Sequence, residues 1–350
     1  MHFASDNSGP AHPQVMAALA EANEGYQMAY GADSLMEEVT DRIRALFEAP
    51  QASVYLAATG TSANVLALAS LCQPYQTVFC SPVAHIHEDE CNAPEFYTGG
   101  AKLTLVPGGD RMTPEALRAS IAYEETRGVH GPGRGPVSIT NVTERGSVYS
   151  VAQIAALCAV ARDFGLPVHL DGARLANAIV AEGCTPAEMT WKAGVDVAVF
   201  GGTKNGLMGA EAVIFFNPEQ AASFEYRRKR GGHLFSKHRY LSAQMAAYLR
   251  GDLWRTLAQA ANDKMARLAD GLRASNRISF AQGIAPAANM LFADMPRGLH
   301  KRLKGEGAVY HLYSGPLEGS DNDAPLTCRL VTDWSLPDAQ IDRFVQLALK

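Results

Sequence analysis

The chain has 350 residues, 47% hydrophobic and 19% charged, with a net charge of −5 and a pI near 6.1. That length exceeds the usual single core and predicts two folded units, one large and one small. The acidic balance argues against nucleic-acid or anionic-membrane partners, no apolar run approaches membrane-span length, and the N-terminus MHFASDNSGP lacks the basic-then-apolar layout of a secretion signal.

From about residue 12 to 220 the pattern alternates helix and strand. Ser34 with Glu37 is a capping-box signature opening an amphipathic helix that runs toward Glu48. SVYLAA (53–58) reads as a strand, Thr61 to Leu71 as the helix after it, and TVFCS (77–81) as another strand. Thr113-Pro114-Glu115 places an N-cap before a proline at the first helical position. The Gly/Pro-dense segment GVHGPGRGP (128–136) reads as a surface loop, and VSITNV (137–142) as a short β-branched strand. Ser150 with Gln153 starts a helix that stops near Gly165. PVHL (167–170), VDVAVF (195–200) and EAVIFF (211–216) are three further strands. Strands separated by helices of this length imply right-handed crossovers and a mostly parallel, covered sheet.

After residue 240 the rhythm changes. A helical stretch over 240–274, broken at Gly251-Asp252, leads into short strands (ISFA, MLFA, VYHLY, CRLV) and a closing amphipathic helix from Asp338. The prediction is an α/β protein: a large unit over 1–245 with an N-terminal arm and a mostly parallel sheet, then a smaller α+β unit over 246–350. Six cysteines (72, 80, 91, 158, 184 and 328) form no CxxC pair and several sit in apolar segments, as in a soluble protein of a reducing, cytoplasmic compartment.

Two strand ends carry the strongest chemistry. PVHL delivers Asp171 at its C-terminal edge, followed by Gly172, Ala173 and Arg174, and VDVAVF delivers Gly201, Gly202, Thr203, Lys204 and Asn205. Ligands of open α/β sheets bind at the C-terminal edges of strands, so a carboxylate and an amine face one crevice. A pyridoxal cofactor needs that pairing: the amine forms a Schiff base with the aldehyde, and the aspartate keeps the pyridine nitrogen protonated. Either residue alone reads equally well as a surface group after a strand; both together, beside glycines, point to the cofactor. A third element, Ala58 to Asn64, is a strand-to-helix turn where Gly60 lets backbone amides approach an anion and Thr61 adds a hydroxyl at the helix's positive end. By itself it is also an ordinary capped helix start. No Gly-Lys-Ser/Thr and no G-x-G-x-x-G occurs there, so a single phosphate fits better than ATP or NAD.

These motifs extend over nearly the whole length. With Ser5-Asp6-Asn7, Tyr30-Gly31-Ala32-Asp33, Thr59-Gly60-Thr61, His85, His169 through Arg174, Lys204 and Arg329-Leu330-Val331-Thr332, the chain resembles the L-threonine aldolase branch of the β-eliminating lyase family, in the aspartate-aminotransferase-like fold (PLP fold type I). The Asp171/Lys204 pair alone would suit many other fold-type I enzymes. The resemblance implies pyridoxal 5'-phosphate as cofactor, and retro-aldol cleavage of L-β-hydroxy-α-amino acids (L-threonine, L-allo-threonine, L-phenylserine) to glycine and an aldehyde. It also implies a small amino acid as partner and a homo-oligomer, dimer or tetramer, with sites shared across an interface. Lys204 would then hold the cofactor's aldehyde and Asp171 its pyridine nitrogen, with Arg174 near its phenolic oxygen. Gly60 and Thr61 would take the phosphate, helped by Thr203. His85 would stack on the ring and serve as, or position, the base; Ser5 and Arg329 would grip the substrate's α-carboxylate, which arginine's fork matches bidentately. Read alone, His85 also suits a satisfied core histidine and Arg329 an ordinary ion pair at a strand end. Another fold-type I reaction (β-elimination, decarboxylation or transamination) and a cofactor-binding protein without turnover stay open.

Two segments depart from the family's pattern. Many members carry a histidine within the stretch that here reads Asn141 to Gly146, and Glu144 falls at that place. Glu144 or a water would then handle the β-hydroxyl, which tilts the expectation toward an aryl-serine-tolerant enzyme. The stretch Arg230 to Lys237 lacks the arginine often found at its end; Lys237 would supply that charge to a neighbouring subunit's cofactor phosphate, and Tyr30 would likewise reach a neighbour's site. Arg227 to Arg230 reads as a solvated or subunit-facing helix face. His85 to Glu90 lacks distant partners and reads as ordinary surface chemistry around one useful histidine, so no metal is expected.

Overall fold

Seven strands make the large sheet of the computed structural model, which describes residues 1–124, 126–281 and 285–350. They are β1 (Ser53–Ala57), β2 (Gln76–Cys80), β3 (Lys102–Leu105), β4 (Gly133–Thr140), β5 (Val168–Asp171), β6 (Val197–Gly201) and β7 (Glu211–Phe215), in the order β1-β7-β6-β5-β4-β2-β3. β3, β2, β4, β5 and β6 are parallel to their neighbours in that run, whereas β7 is antiparallel to both β1 and β6. The reversal follows from connection length. Residues 202–210, which carry Lys204, are too few for a crossover helix, so β7 returns beside β6.

Every residue of β6 and β7 is buried, because the sheet is covered on both faces. Val197, Val199, Val213 and Phe215 pack with Ala63, Val65 and Leu66 of the helix Gly60–Leu71. The alternate residues Ala198, Phe200, Ala212 and Ile214 face the other side. There Phe200 meets Phe47, Tyr248 and Trp254 at ring-centroid distances of 5.5, 5.6 and 5.7 Å.

A second, antiparallel sheet holds β8 (Ser279–Phe280), β9 (Met290–Pro296), β10 (His311–Leu312) and β11 (Pro325–Val331) in the order β10-β11-β9-β8. The helix Leu253–Leu272 runs between the two cores, placing Trp254 and Leu257 in the large one and Met265, Leu268 and Leu272 in the small one. The N-terminal arm joins the small core as well. Phe3 packs on Phe344 at 4.8 Å, donates its N–H to Val309 O, and accepts at its own carbonyl from Val331 N. Pinned there, the arm carries Ser5, Asp6 and Asn7 toward the edge of the large sheet.

The α/β class, the covered parallel sheet and the helix break are as read from sequence; the break has left-handed Gly251 and Asp252. Three local readings change. The helix Ser34–Leu46 is capped by Asp33, whose carboxylate accepts from Met36 N at 3.0 Å, and Ser34 is already inside the first turn. The segment 128–136 is not all loop: Gly133 to Pro136 form the start of β4, where a Cβ on Gly135 would lie 2.5 Å from Thr77 O, so glycine here serves strand approach. Arg228 of the basic helix Phe224–Arg230 is not solvated; it is buried and donates to Leu56 O at 3.1 Å.

The tightest approach is at the C-terminal ends of β5 and β6. A Cβ on Gly172 would sit 1.9 Å from Val199 O, and one on Gly201 2.5 Å from Ala173 O. Gly172→Ala should therefore lower stability by at least about 1–3 kcal/mol through forced backbone displacement. Gly305→Ala, where an added Cβ meets nothing within 4 Å, should stay within about 0.5 kcal/mol of the parent. Urea-unfolding midpoints of the two variants check both.

Candidate active site

Asp171 ends β5, and Lys204 lies in the turn Thr203–Asn205 that follows β6. Gly201 N donates to Gly172 O at 3.0 Å, and that bond locks the two strand ends side by side. The turn is anchored around the lysine. Asn205 Nδ2 donates to Tyr248 Oη at 2.7 Å and to Trp254 O at 2.8 Å, Tyr248 Oη donates to Gly201 O at 3.1 Å, and Gly202 N donates to Glu211 Oε2 at 2.9 Å. Lys204 itself projects half-buried into a cavity of about 350 Å³ whose walls also include Gly60, Thr61, His85, Glu144, Asp171 and Thr203. Seven residues singled out from sequence thus meet in one space.

The carboxylate of Asp171 is buried and held from two sides: Oδ1 accepts from Ala173 N at 3.0 Å and Oδ2 from Asn64 Nδ2 at 2.9 Å. Asn64 lies one helical turn beyond Gly60, on the inner face of the helix Gly60–Leu71. Its amide nitrogen also reaches Glu90 Oε1 at 3.1 Å, and the same oxygen meets His85 Nδ1 at 2.9 Å. Glu90 is 3% exposed, so the stretch from His85 to Glu90 is not plain surface: its last carboxylate faces inward because the short helix His85–Glu88 turns the chain back on itself. The hydrogen bond to Glu90 raises the His85 pKa, with the carboxylates of Asp171 and Glu144 adding to it against the opposing effect of burial. Burial raises the Glu90 pKa, with His85 and Asn64 pulling it back.

The remaining walls divide by charge. The helix starting at Gly60 is capped by Thr59, whose Oγ1 accepts from Ser62 N at 3.1 Å. The amides of Gly60 and Thr61, ahead of the first intrahelical bond, stand at the helix's positive end. A Cβ at Gly60 would meet nothing within 4 Å, so the glycine leaves room at the cavity wall. Burial raises Glu144, although Arg174, His85 and Lys204 draw it down. Burial also pushes Glu211, at the start of β7, up to about 7, against the pull of Thr203, Gly202 N and Lys204.

Arg174 does not line this cavity; it is buried beside it in a bidentate pair with Asp6, Nε to Oδ2 at 2.6 Å and Nη2 to Oδ1 at 2.9 Å, and Asn289 Nδ2 reaches the same carboxylate at 3.1 Å. Arg329, on β11, donates through Nη2 to Ala4 O at 3.3 Å, while its Nε is buried without a partner. Burial and the neighbouring Arg174 lower its pKa, with Asp6, Glu144 and Asp89 opposing. Ser5 lies on the arm next to this group, its Oγ accepting from Asn7 N at 3.1 Å, and Asn7 itself reaches the cavity wall. Tyr30 and Lys237 are elsewhere. Tyr30 N donates to Ser236 O at 3.1 Å, its ring lies under Lys229 Nζ at 4.6 Å, and both Tyr30 and Lys237 are exposed on a face outside the cavity.

The donor set suits a pyridoxal phosphate: an amine and a buried carboxylate across one space, helix-end amides on a third wall, and an unfilled glycine cradle. Lys204, Asp171, Gly60, Thr61 and Thr203 could hold it. Sequence reading gives no role to Asp6, although its motif is quoted, takes Glu90 for surface, and does not reach Glu211 or the part played by Asn64. Asn64 carries a signal in its place four residues after Gly60 on one helix face. Glu211 precedes an apolar strand with nothing local to mark it as facing the lysine.

Known proteins resemble this chain over nearly its whole length. Residues 2–295 match the family model described as Beta-eliminating lyase. A low specificity L-threonine aldolase of Pseudomonas aeruginosa is 40% identical over 99% of this chain and 95% of that protein. One from a Pseudomonas species is 42% identical, covering 89% of each. Among solved structures, a threonine aldolase of Leishmania major superposes with a TM-score of 0.92 at 26% identity, over 99% of this chain and 98% of that one. A serine palmitoyltransferase from S. paucimobilis, at 16% identity and a TM-score of 0.70 over the whole of this chain and 86% of the other, shares the fold.

The pair Arg174–Asp6 offers a sharp test of this electrostatic frame. Burial disfavours the Asp6 carboxylate, but Arg174, Lys204 and Asn289 together hold its pKa below the ordinary 3.8. A carboxylate depressed in the folded state contributes stability that is fully present above its unfolded pKa and is lost as pH falls through the lower folded value. Asp6→Asn should cost about 3–5 kcal/mol at neutral pH by leaving a buried guanidinium unpaired, and the gap to the parent should narrow below pH 3.8. Thermal unfolding measured across acid pH checks the sign.

Proposed function

The chain belongs to the β-eliminating lyase family, and from that premise we propose that it binds pyridoxal 5'-phosphate and cleaves L-β-hydroxy-α-amino acids, L-threonine among them, to glycine and an aldehyde. The observation that carries this reading is the meeting of Asp171 and Lys204 in one cavity with the helix-end amides of Gly60 and Thr61. When bound, pyridoxal phosphate supplies an electron sink conjugated with the amino acid's α-carbon. Lys204 would hold the cofactor's aldehyde, Asp171 would keep its ring nitrogen protonated, and Gly60, Thr61 and Thr203 would take its phosphate. Arg174, held by Asp6, would supply a fixed positive charge to the cofactor's phenolic oxygen.

Ser5 and Arg329 grip the substrate's carboxylate, and the unpartnered Nε of Arg329 offers it an unused donor. That grip orients the Cα–Cβ bond for cleavage. His85 would pack against the cofactor's ring, and Glu144, with a pKa raised by burial, accepts the β-hydroxyl proton. As that proton leaves, the Cα–Cβ bond breaks, the aldehyde departs, and a proton returns to the α-carbon to give glycine. Glu144 in this place favours substrates with a bulkier β-substituent, phenylserine included. The same reading extends to a cytoplasmic homotetramer in which Tyr30 and Lys237 reach a neighbour's site, and to a division into units 1–245 and 246–350.

Incubation of the cofactor-loaded protein with L-threonine should release glycine and acetaldehyde in equal amounts; ammonia and an oxo acid instead would mean elimination. Lys204→Ala should abolish both turnover and the near-visible absorbance of the bound cofactor. Glu144→Gln should lower kcat by about 100-fold or more with KM little changed. Full activity in either variant contradicts the assignment of that residue.

A further inference from the structure

Glu90 is a buried carboxylate with no lysine or arginine partner among the described residues, and such a group is costly to keep unless it orders something. Its Oε1 is shared by two groups from different elements: Nδ1 of His85 at 2.9 Å and Nδ2 of Asn64 at 3.1 Å. Asn64 gives its second amide hydrogen to Asp171 Oδ2 at 2.9 Å. Two carboxylates on one amide nitrogen admit a single orientation, with Nδ2 between them and Oδ1 turned away; Oδ1 is indeed buried without a partner. At His85 the consequence is a tautomer. A carboxylate at Nδ1 requires the proton there, which leaves Nε2 as the ring atom available to the cavity.

We propose that Glu90 is a positioning residue of this site, orienting the His85 imidazole directly and the Asp171 carboxylate through the Asn64 amide. One carboxylate then fixes the group read as stacking on the cofactor and the group read as facing its ring nitrogen. The effect on turnover rests on the cleavage reading above; the effect on His85 does not. The charged groups that act on His85 are Glu90 beyond its own short helix, Asp171 from β5 and Glu144 from the loop after β4; all are carboxylates, and each favours the protonated ring. Against its burial, Lys204 and Arg174 pull the Glu144 pKa down.

The test is a nitrogen-15 NMR titration of the histidines in the full-length protein, with and without pyridoxal phosphate, His85 being assigned with His85→Gln. In the parent, His85 should carry its proton on Nδ1 and titrate above the ordinary 6.5. In Glu90→Gln, whose amide can face Nδ1 with either end, the titration should fall by about one pH unit or more and Nδ1 should lose its preference. Glu90→Asp, which keeps the charge, should recover part of both. In Glu90→Gln kcat should fall with KM for L-threonine little changed, because the imidazole and the Asp171 carboxylate both lose their fixed orientation. A parent His85 protonated on Nε2, or titrating below 6.5, overturns the proposal without any variant. So does a folded Glu90→Gln with an unchanged His85 titration. A His85 that behaves as expected in a protein releasing no glycine would support Glu90's role and refute the cleavage reading.

Discussion

The close approach of two parallel strand ends governs the rest of this molecule. Where β5 and β6 finish, Gly172 O accepts from Gly201 N at 3.0 Å, and neither position has room for a Cβ. The chain leaves β5 with Asp171 and β6 with Lys204, so this contact sets both groups at one opening. It also explains the antiparallel β7: the short return that carries Lys204 brings Glu211 back beneath the same opening, where its carboxylate accepts from Gly202 N. The geometry of the proposed site is a consequence of backbone packing, with side chains that suit it.

Charge is distributed in pairs and chains around that opening. Arg174 with Asp6, His85 with Glu90, and Asn64 between Glu90 and Asp171 leave few buried groups unanswered. Among the atoms left buried without a partner are Glu90 Oε2, Asn64 Oδ1, Asn289 Oδ1 and Arg329 Nε, all belonging to this group of side chains. The N-terminal arm ties the two cores together, since Phe3 belongs to the small core while Asp6 pairs with an arginine of the large sheet's edge. Ser5 and Arg329, proposed to bind the substrate's carboxylate, lie beside this junction, where Arg329 Nη2 donates to Ala4 O.

Much of this is legible in the amino-acid sequence. The apolar runs of β5, β6 and β7 are fully buried strands and read as such, and the capping box of Ser150 and Gln153 is present in full. Lys204, Asp171 and Gly60 were visible because each sits at a boundary that local pattern marks. What sequence hid depends on tertiary contact. Glu90 and Glu211 are charged residues in unremarkable local contexts, and only the fold turns them inward. β3 (Lys102–Leu105) escaped notice because it is a half-exposed edge strand with a charged first residue. Gly133 to Pro136 look like a loop by composition, yet the need to pass close to Thr77 makes glycine a strand residue there.

The most direct test is to trap the cofactor where the two strand ends meet. Borohydride reduction of the protein loaded with pyridoxal phosphate, followed by peptide mass mapping, reads which lysine held the aldehyde. The expected result is a single pyridoxyl group on the peptide containing Lys204. Label on another lysine, or none on a protein that has bound the cofactor, would contradict the placement of the reaction at the ends of β5 and β6.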